Sequence, residues 1–228
     1  MKYLFLLILL NISYIYSEKA TFYGHAYEGS ELLFKEEYII ERIDGKITNV
    51  ETYFFSPSGE KIAQMSSSFE KANFLPKMNF LNKSSLFSYG TDLENDEISL
   101  FKKSSKGASK KKKLQSEENM VAGPGFYFFI LDKLDHLLKG QKEHLVFIQP
   151  NRLSSYKFSI EAKSLEDQIV VTLKIDNPLL KKLIAPIELT IDAKSKALVT
   201  YTGLNGFLSE DNSLKCIKVS YSHPTIIE

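Results

Sequence analysis

Hydrophobic and polar positions divide this chain into many short alternating runs and one longer helical one. Phe22 to Glu28 and Leu32 to Ile43 flank Gly29-Ser30, a dipeptide suited to a tight hairpin. Asp44-Gly45 leads from the second run into Lys46 to Phe55, and both residues tolerate the positive φ of a type I′ turn. Pro57-Ser58-Gly59 turns the chain again into Lys61 to Phe69, so the order predicts a four-stranded antiparallel meander. Val50, Thr52 and Phe54 fall on one face of its third strand and Glu51, Tyr53 and Phe55 on the other. Rings on both faces predict cover on each side.

Asn73 to Asn82 reads as irregular because Pro76 removes a ladder donor. Leu86 to Tyr89 and Glu97 to Lys102 read as further strands. Helical spacing then takes over: Phe126, Phe129, Ile130, Lys133, Leu134 and Leu137 recur at intervals of three and four. Pro124 suits a helix start and Lys139-Gly140 a helix end, which predicts one long amphipathic helix over Pro124 to Lys139. Asp132/His136 and Asp135/Lys139 stand four apart on its polar side. After it, Leu145 to Gln149, Leu153 to Ala162, Gln168 to Ile175, Pro186 to Ile191, Ala197 to Thr202 and Leu214 to Tyr221 alternate again. Asn177 caps a short helical turn between them, and Asp211-Asn212 marks a turn. The expected class is α+β: a curved, mostly antiparallel sheet, in the extreme a half-barrel, packed around one long helix.

The chain opens differently. Met1-Lys2, the apolar run Tyr3 to Leu10 and the polar, small-residue exit to Ser17 have the order of a secretory signal peptide. The run is too short for a bilayer span, which takes about twenty apolar residues, so no transmembrane segment is expected after cleavage. Residues 18–228 then form a single β-rich domain, periplasmic or secreted. Taking Met1 to Ser17 away removes one lysine and no acid, leaving 28 charges of each sign. A balanced chain whose only arginines are Arg42 and Arg152 is not built to read nucleic acid. The single cysteine, Cys216, leaves no internal disulfide to form.

One segment departs from the balance. Seven lysines lie between Lys102 and Lys113 with no large apolar residue among them, which predicts a mobile loop over 102–113. Lys110, Lys111, Lys112 and Lys113 are its candidate contacts to an anionic surface.

Catalytic signals are missing. His25, His136, His144 and His223 form no metal-binding spacing, and no Gly-x-Ser-x-Gly elbow is present. Gly123-Pro124-Gly125 lacks the donors and the lysine of a phosphate cradle. Glu36-Glu37 and Asp132/Asp135 read as surface charge. The expectation is a non-enzymatic protein without cofactor or metal.

Aromatics carry the remaining signal. Sixteen phenylalanines and twelve tyrosines accompany no tryptophan, and Phe126-Tyr127-Phe128-Phe129 must point all around a helix start. Under an incompletely wrapped sheet such rings line a cavity for an apolar or amphipathic ligand. The expected lining is Phe126, Phe129, Ile130 and Leu134 with Phe54 and Phe147 opposite. A lipid or an envelope protein is the expected partner. The alternatives are an interaction module without a small ligand and an enzyme assembled from distant residues.

Gly29-Ser30-Glu31-Leu32-Leu33-Phe34-Lys35-Glu36, Tyr53 through Ala63, Gly125-Phe126 with the helix to Gly140, Pro150-Asn151-Arg152-Leu153, Pro186-Ile187-Glu188-Leu189 and Tyr201-Thr202-Gly203-Leu204 together resemble a family of uncharacterised exported bacterial proteins. The resemblance implies a periplasmic or secreted setting and transfers no catalytic residue. The layout is more distantly similar to lipoprotein-carrier-like folds, an analogy of fold alone.

Overall fold

The structure, a computed structural model, describes residues 17–227 apart from 95–96, 183, 206–207, 209 and 211–214. The expected leader, but for Ser17, and the turn at Asp211-Asn212 therefore lie outside the described residues.

Turn chemistry sets the first hairpins. β1 (Ser17–Glu28) and β2 (Glu31–Ile43) meet through Gly29-Ser30, and β2 joins β3 (Lys46–Phe55) through Asp44-Gly45. There φ is +51° at Asp44 and +76° at Gly45, the two successive left-handed residues of a type I′ turn. β4 (Lys61–Ser68) completes the meander. β5 (Lys77–Asn82) begins directly after Pro76 and pairs with β4 and with β6 (Ser88–Glu94). The later part of the segment expected to be irregular, Lys77–Asn82, is thus a strand, because a proline just ahead of the ladder removes no bond from it.

β7 (Glu97–Lys103) and β8 (Ser109–Leu114) correct the reading of the lysine run. Lys102 to Lys113 is a hairpin rather than a loop, closed by Ser104 N–H to Ala108 O at 2.8 Å. Lys102 stands opposite Lys110, and Phe101 opposite Lys111. The ladder with β7 supplies the order that the side chains do not. β8 is the outermost strand and Ser109 to Lys113 are exposed, so its ammonium groups stay hydrated and need no apolar cover. Such a charged edge also resists pairing with another chain.

β9 (Met120–Ala122) precedes helix α1 (Gly125–Leu138). At 14 residues the helix is shorter than expected: Pro124 and Lys139 flank it and Gly140 follows at φ +79°. β10 (Glu143–Gln149), a 3₁₀ turn (Pro150–Arg152), β11 (Ser154–Leu165) and β12 (Gln168–Ile175) follow. A second 3₁₀ turn (Leu180–Lys182) is capped by Asn177, whose Oδ1 accepts from the Leu180 N–H at 3.1 Å. β13 (Ile187–Asp192), β14 (Leu198–Asn205), β15 (Lys215–Tyr221) and β16 (Thr225–Ile227) complete the fold.

All strands belong to one open sheet in the order β8-β7-β6-β5-β4-β3-β2-β1-β15-β14-β13-β12-β11-β10-β9, with β16 beside β1. Among the described strands only the short β9–β10 pair is parallel. The sheet rolls, and its register shows how. Ile40, Val50, Ser67, Met78, Thr91 and Leu100 stand opposite one another across β2 to β7, and all six are buried. Leu100 and Ile98 pack in one cluster with Met120, Ala122, Val146 and Ile148. The alternate residues of those last strands, Val121 and Leu145, pack with the helix instead. Because successive side chains point to opposite faces, β9 and β10 lie between α1 on one side and the inner face of β7 on the other. The sheet closes by overlap of apolar faces, not by a further ladder.

This closure is testable. Leu100→Ala and Ile148→Ala should each cost roughly 2–5 kcal/mol, as buried large-to-small changes do, in urea unfolding. Lys111→Ala on the outer strand should stay within about 0.5 kcal/mol. A Leu100→Ala protein as stable as the parent would contradict closure by overlap.

Candidate functional site

The inner face of β2 carries Phe34, Glu36, Tyr38 and Ile40. Glu36 stands opposite Gly24 on β1 and Phe54 on β3, and Gly24 stands opposite Tyr221 on β15. A Cβ at Gly24 would lie 2.7 Å from Glu36 Cγ, 2.8 Å from Glu36 Oε1 and 2.8 Å from the Tyr221 ring. Only glycine lets the carboxyl and the tyrosine meet across that strand. Phe22, two residues before Gly24, stacks on Tyr38 with ring centres 4.7 Å apart, and Tyr221 meets Phe22 edge-on at 5.8 Å.

Glu36 is 3% exposed, so the reading of Glu36-Glu37 as surface charge is wrong for its first member. The hydroxyls of Tyr38 and Tyr221 hydrogen-bond with the carboxyl and with each other, while among the described residues Oε1 has no hydrogen-bond partner. Burial pushes the Glu36 carboxyl up to about 7, against the opposing pull of the two phenols. Burial, and then the neighbouring Glu36 charge, hold the Tyr38 and Tyr221 phenols well above their ordinary range. Tyr201, on the adjoining β14, is likewise raised by burial.

These residues form one wall of a cavity of about 410 Å³ between the inner face of the rolled sheet and the start of α1. Phe126, Phe54 and Phe147, three of the residues picked out in the sequence, line it. Phe126 and Phe147 meet edge to face with centres 5.7 Å apart. Phe129, Ile130 and Leu134 do not line it: they are buried in the cluster that packs α1 on β11 to β13. Of the four consecutive aromatics, Phe126, Tyr127 and Phe128 line the cavity, whereas Phe129 is buried in the cluster that packs the helix on the sheet. Tyr127 holds the helix start in place by donating from its hydroxyl to Lys196 O.

Lys110, Lys111, Lys112 and Lys113 lie on the exposed edge strand and are absent from the lining. The charged residues that do line the cavity are Glu36 and Arg152. Arg152 belongs to the 3₁₀ turn after β10, which Lys102 Nζ ties to β7 through Asn151 O at 3.0 Å. Sequence reasoning missed Glu36, Tyr38 and Tyr221. The signal was present for Glu36, which occupies the inward register of Phe34, Tyr38 and Ile40.

A histidine–carboxylate pair lies on the surface. His144 Nδ1 approaches Asp176 Oδ2 at 3.3 Å. Ser159, opposite His144 in register, instead donates to Lys174 O at 3.3 Å, so this pair has no serine to activate. Among the described residues no group of three histidine, cysteine or acidic side chains is placed to hold a metal. The helix pairs expected at four-residue spacing are replaced by Lys133 with Asp132 at 2.9 Å and His136 with Glu143 at 3.4 Å.

Glu36 makes stability depend on pH with a definite sign. Its folded value near 7 lies above the ordinary 4.5, so between these values the folded state holds a proton that the unfolded state has released. The stability this contributes is complete below about pH 4.5 and lost as pH rises through 7, on the order of 3 kcal/mol. Glu36→Gln should therefore gain stability relative to the parent between about pH 5 and 8, read as the difference in Tm across a pH series. A constant difference would show that the carboxyl is not protonated on folding.

No protein-family model matches the chain and no curated protein matches it, which leaves this cavity and its buried carboxyl as the ground for a functional reading.

Proposed function

We propose that this is an exported, non-enzymatic binding protein that holds an apolar or amphipathic molecule in the cavity beside the start of α1. The observation that carries the reading is the cavity itself. Its volume falls within the range of small-molecule sites, and it combines apolar walls with few polar groups, as such sites do. Hydrophobic burial drives entry of the ligand. A half-barrel sheet around the helix, in the manner of carrier-like folds, is the architecture that the reading implies.

The setting is periplasmic or secreted, supported by the charge, apolar run and polar exit of Met1 to Ser17. No helix among the described residues is long and apolar enough to cross a membrane. Lys110 to Lys113 serve as an anionic-surface contact remote from the ligand and add little to its affinity. The sheet edges favour a ligand in the cavity over an added strand from a partner: one edge is charged and the other, β9, is three buried residues long.

Native mass spectrometry with lipid extraction, on protein purified from its own envelope, should recover a bound apolar or amphipathic molecule. An apolar fluorescent probe should bind and be displaced by single-chain amphiphiles. Ile187→Trp, which adds bulk to a partly exposed lining position, should weaken the probe about tenfold, while Lys111→Glu should change it less than about twofold. Protein that is repeatedly empty, with no displaceable probe, would overturn the proposal.

A further inference from the structure

The cavity wall holds a carboxyl that an apolar ligand alone does not explain. We infer that the ligand carries an organic ammonium group seated against the rings of Tyr38 and Tyr221, with Glu36 as its counter-ion. This rests on the cavity-binding reading above and specifies the head of the ligand.

The lining supplies the argument. Glu36 is its one acidic residue among the described residues. A buried carboxylate without a cation is costly, and one that gains a cation recovers most of that cost. Among the described residues, the titratable groups that face it are Tyr38 on its own strand, Tyr221 on β15 and Tyr201 on β14, and no basic side chain is among those that shift it. The described residues therefore present an acid and bring it no counter-ion. Arg152, the other charged group of the lining, sits on the 3₁₀ turn and is already engaged.

Geometry around the carboxyl suits a cation as well. Tyr38 and Phe22 are stacked, and Tyr221 stands edge-on to both, at 5.8 Å from Phe22 and 6.3 Å from Tyr38. Phe34 and Phe54 meet edge to face at 6.0 Å on the neighbouring positions of β2 and β3. Ring faces beside a carboxylate are the elements of a site for an organic cation. The Tyr38 and Tyr221 hydroxyls are hydrogen-bonded with Glu36 and with each other, so they are occupied in holding the carboxylate and are not offered to an anionic head. A fatty acid would bring a second carboxylate beside the first, which like-charge repulsion disfavours. The protonation state of Glu36 adds a direction: the protonated acid that prevails well below pH 7 offers no charge, and the ammonium must expel that proton to solvent to pair.

Three ligands with one tail and different heads test this: decylamine, decanol and decanoate, titrated calorimetrically below their micellar concentrations. The amine stays an ammonium ion at either pH used. Near pH 8 decylamine should bind about tenfold more tightly than decanol, and decanoate more weakly than both. Near pH 5.5 the advantage of the amine should shrink to about threefold or less. Glu36→Gln should abolish the advantage, so that amine and alcohol bind the variant within about twofold of one another. The parent alone gives a second readout that does not depend on a variant folding. Near pH 6, decylamine should release protons on binding, seen as heats that vary with the ionisation enthalpy of the buffer, and decanol none. Equal affinities for amine and alcohol at both pH values, or an amine preference that survives in Glu36→Gln, would overturn the ammonium assignment and leave the cavity reading standing. Failure of all three ligands to bind would overturn both.

Discussion

Everything in this fold depends on burying both faces of the short β9–β10 pair. The inner face of β7, through Ile98 and Leu100, covers Val146 and Ile148 from one side. Helix α1, through Phe129, Leu134 and Leu137, shares a cluster with Leu145 and Val121 on the other. Neither contact uses a backbone ladder, so the curvature of a sheet of this size is fixed by side-chain packing at its overlap. Sheets of many twisted strands curl, split or flatten. Here the curl ends where two apolar faces meet, and the radius at which they meet sets the space left inside.

That space is larger than one helix can fill. Leu134 and Leu137 fill the part over β11 to β13, and Phe128 with Phe69 closes against Ile40 and Val50. The region over Phe34, Glu36 and Tyr38 has no helix turn above it, because α1 begins only at Gly125. The cavity follows from a helix start placed short of that wall. It is kept from collapsing by rings braced against one another, such as Phe22 on Tyr38 and Phe126 on Phe147. Tightly packed aromatics resist closing over a void as flexible side chains do not.

The legible parts of this structure are those governed by local rules. Asp44-Gly45 names its own turn, and the period of Phe126 through Leu137 names the helix and its buried stripe. The less legible parts depend on partners distant in the chain. Pro76 reads as a break, yet β5 starts one residue later, where the proline does no harm. The lysine run reads as a loop because local composition cannot reveal that Glu97–Lys103 offers it a ladder. Phe129, Ile130 and Leu134 read as cavity lining because periodicity gives the apolar stripe of a helix without telling which end of it meets protein. Glu36 is the instructive case. Adjacent acids suggest solvent, but a strand sends neighbours to opposite faces, and Phe34, Tyr38 and Ile40 had already assigned that register to the interior.

Glu36 also shows how closely the site depends on the sheet around it. Its position requires that no side chain stand at Gly24, since a Cβ there would come within 2.8 Å of both Glu36 Oε1 and the Tyr221 ring. A glycine inside a long strand weakens the strand, and a buried carboxyl with one oxygen unpartnered weakens the core. Two adjacent positions thus carry local costs that an apolar pair would avoid, and the second position needs the first. Costs coupled in this way are expected where a site imposes a requirement that packing does not. The roll of the sheet accounts for the cavity, whereas nothing in the roll accounts for an acid in its wall. That separation makes the carboxyl, rather than the cavity, the feature on which the proposed choice of ligand rests.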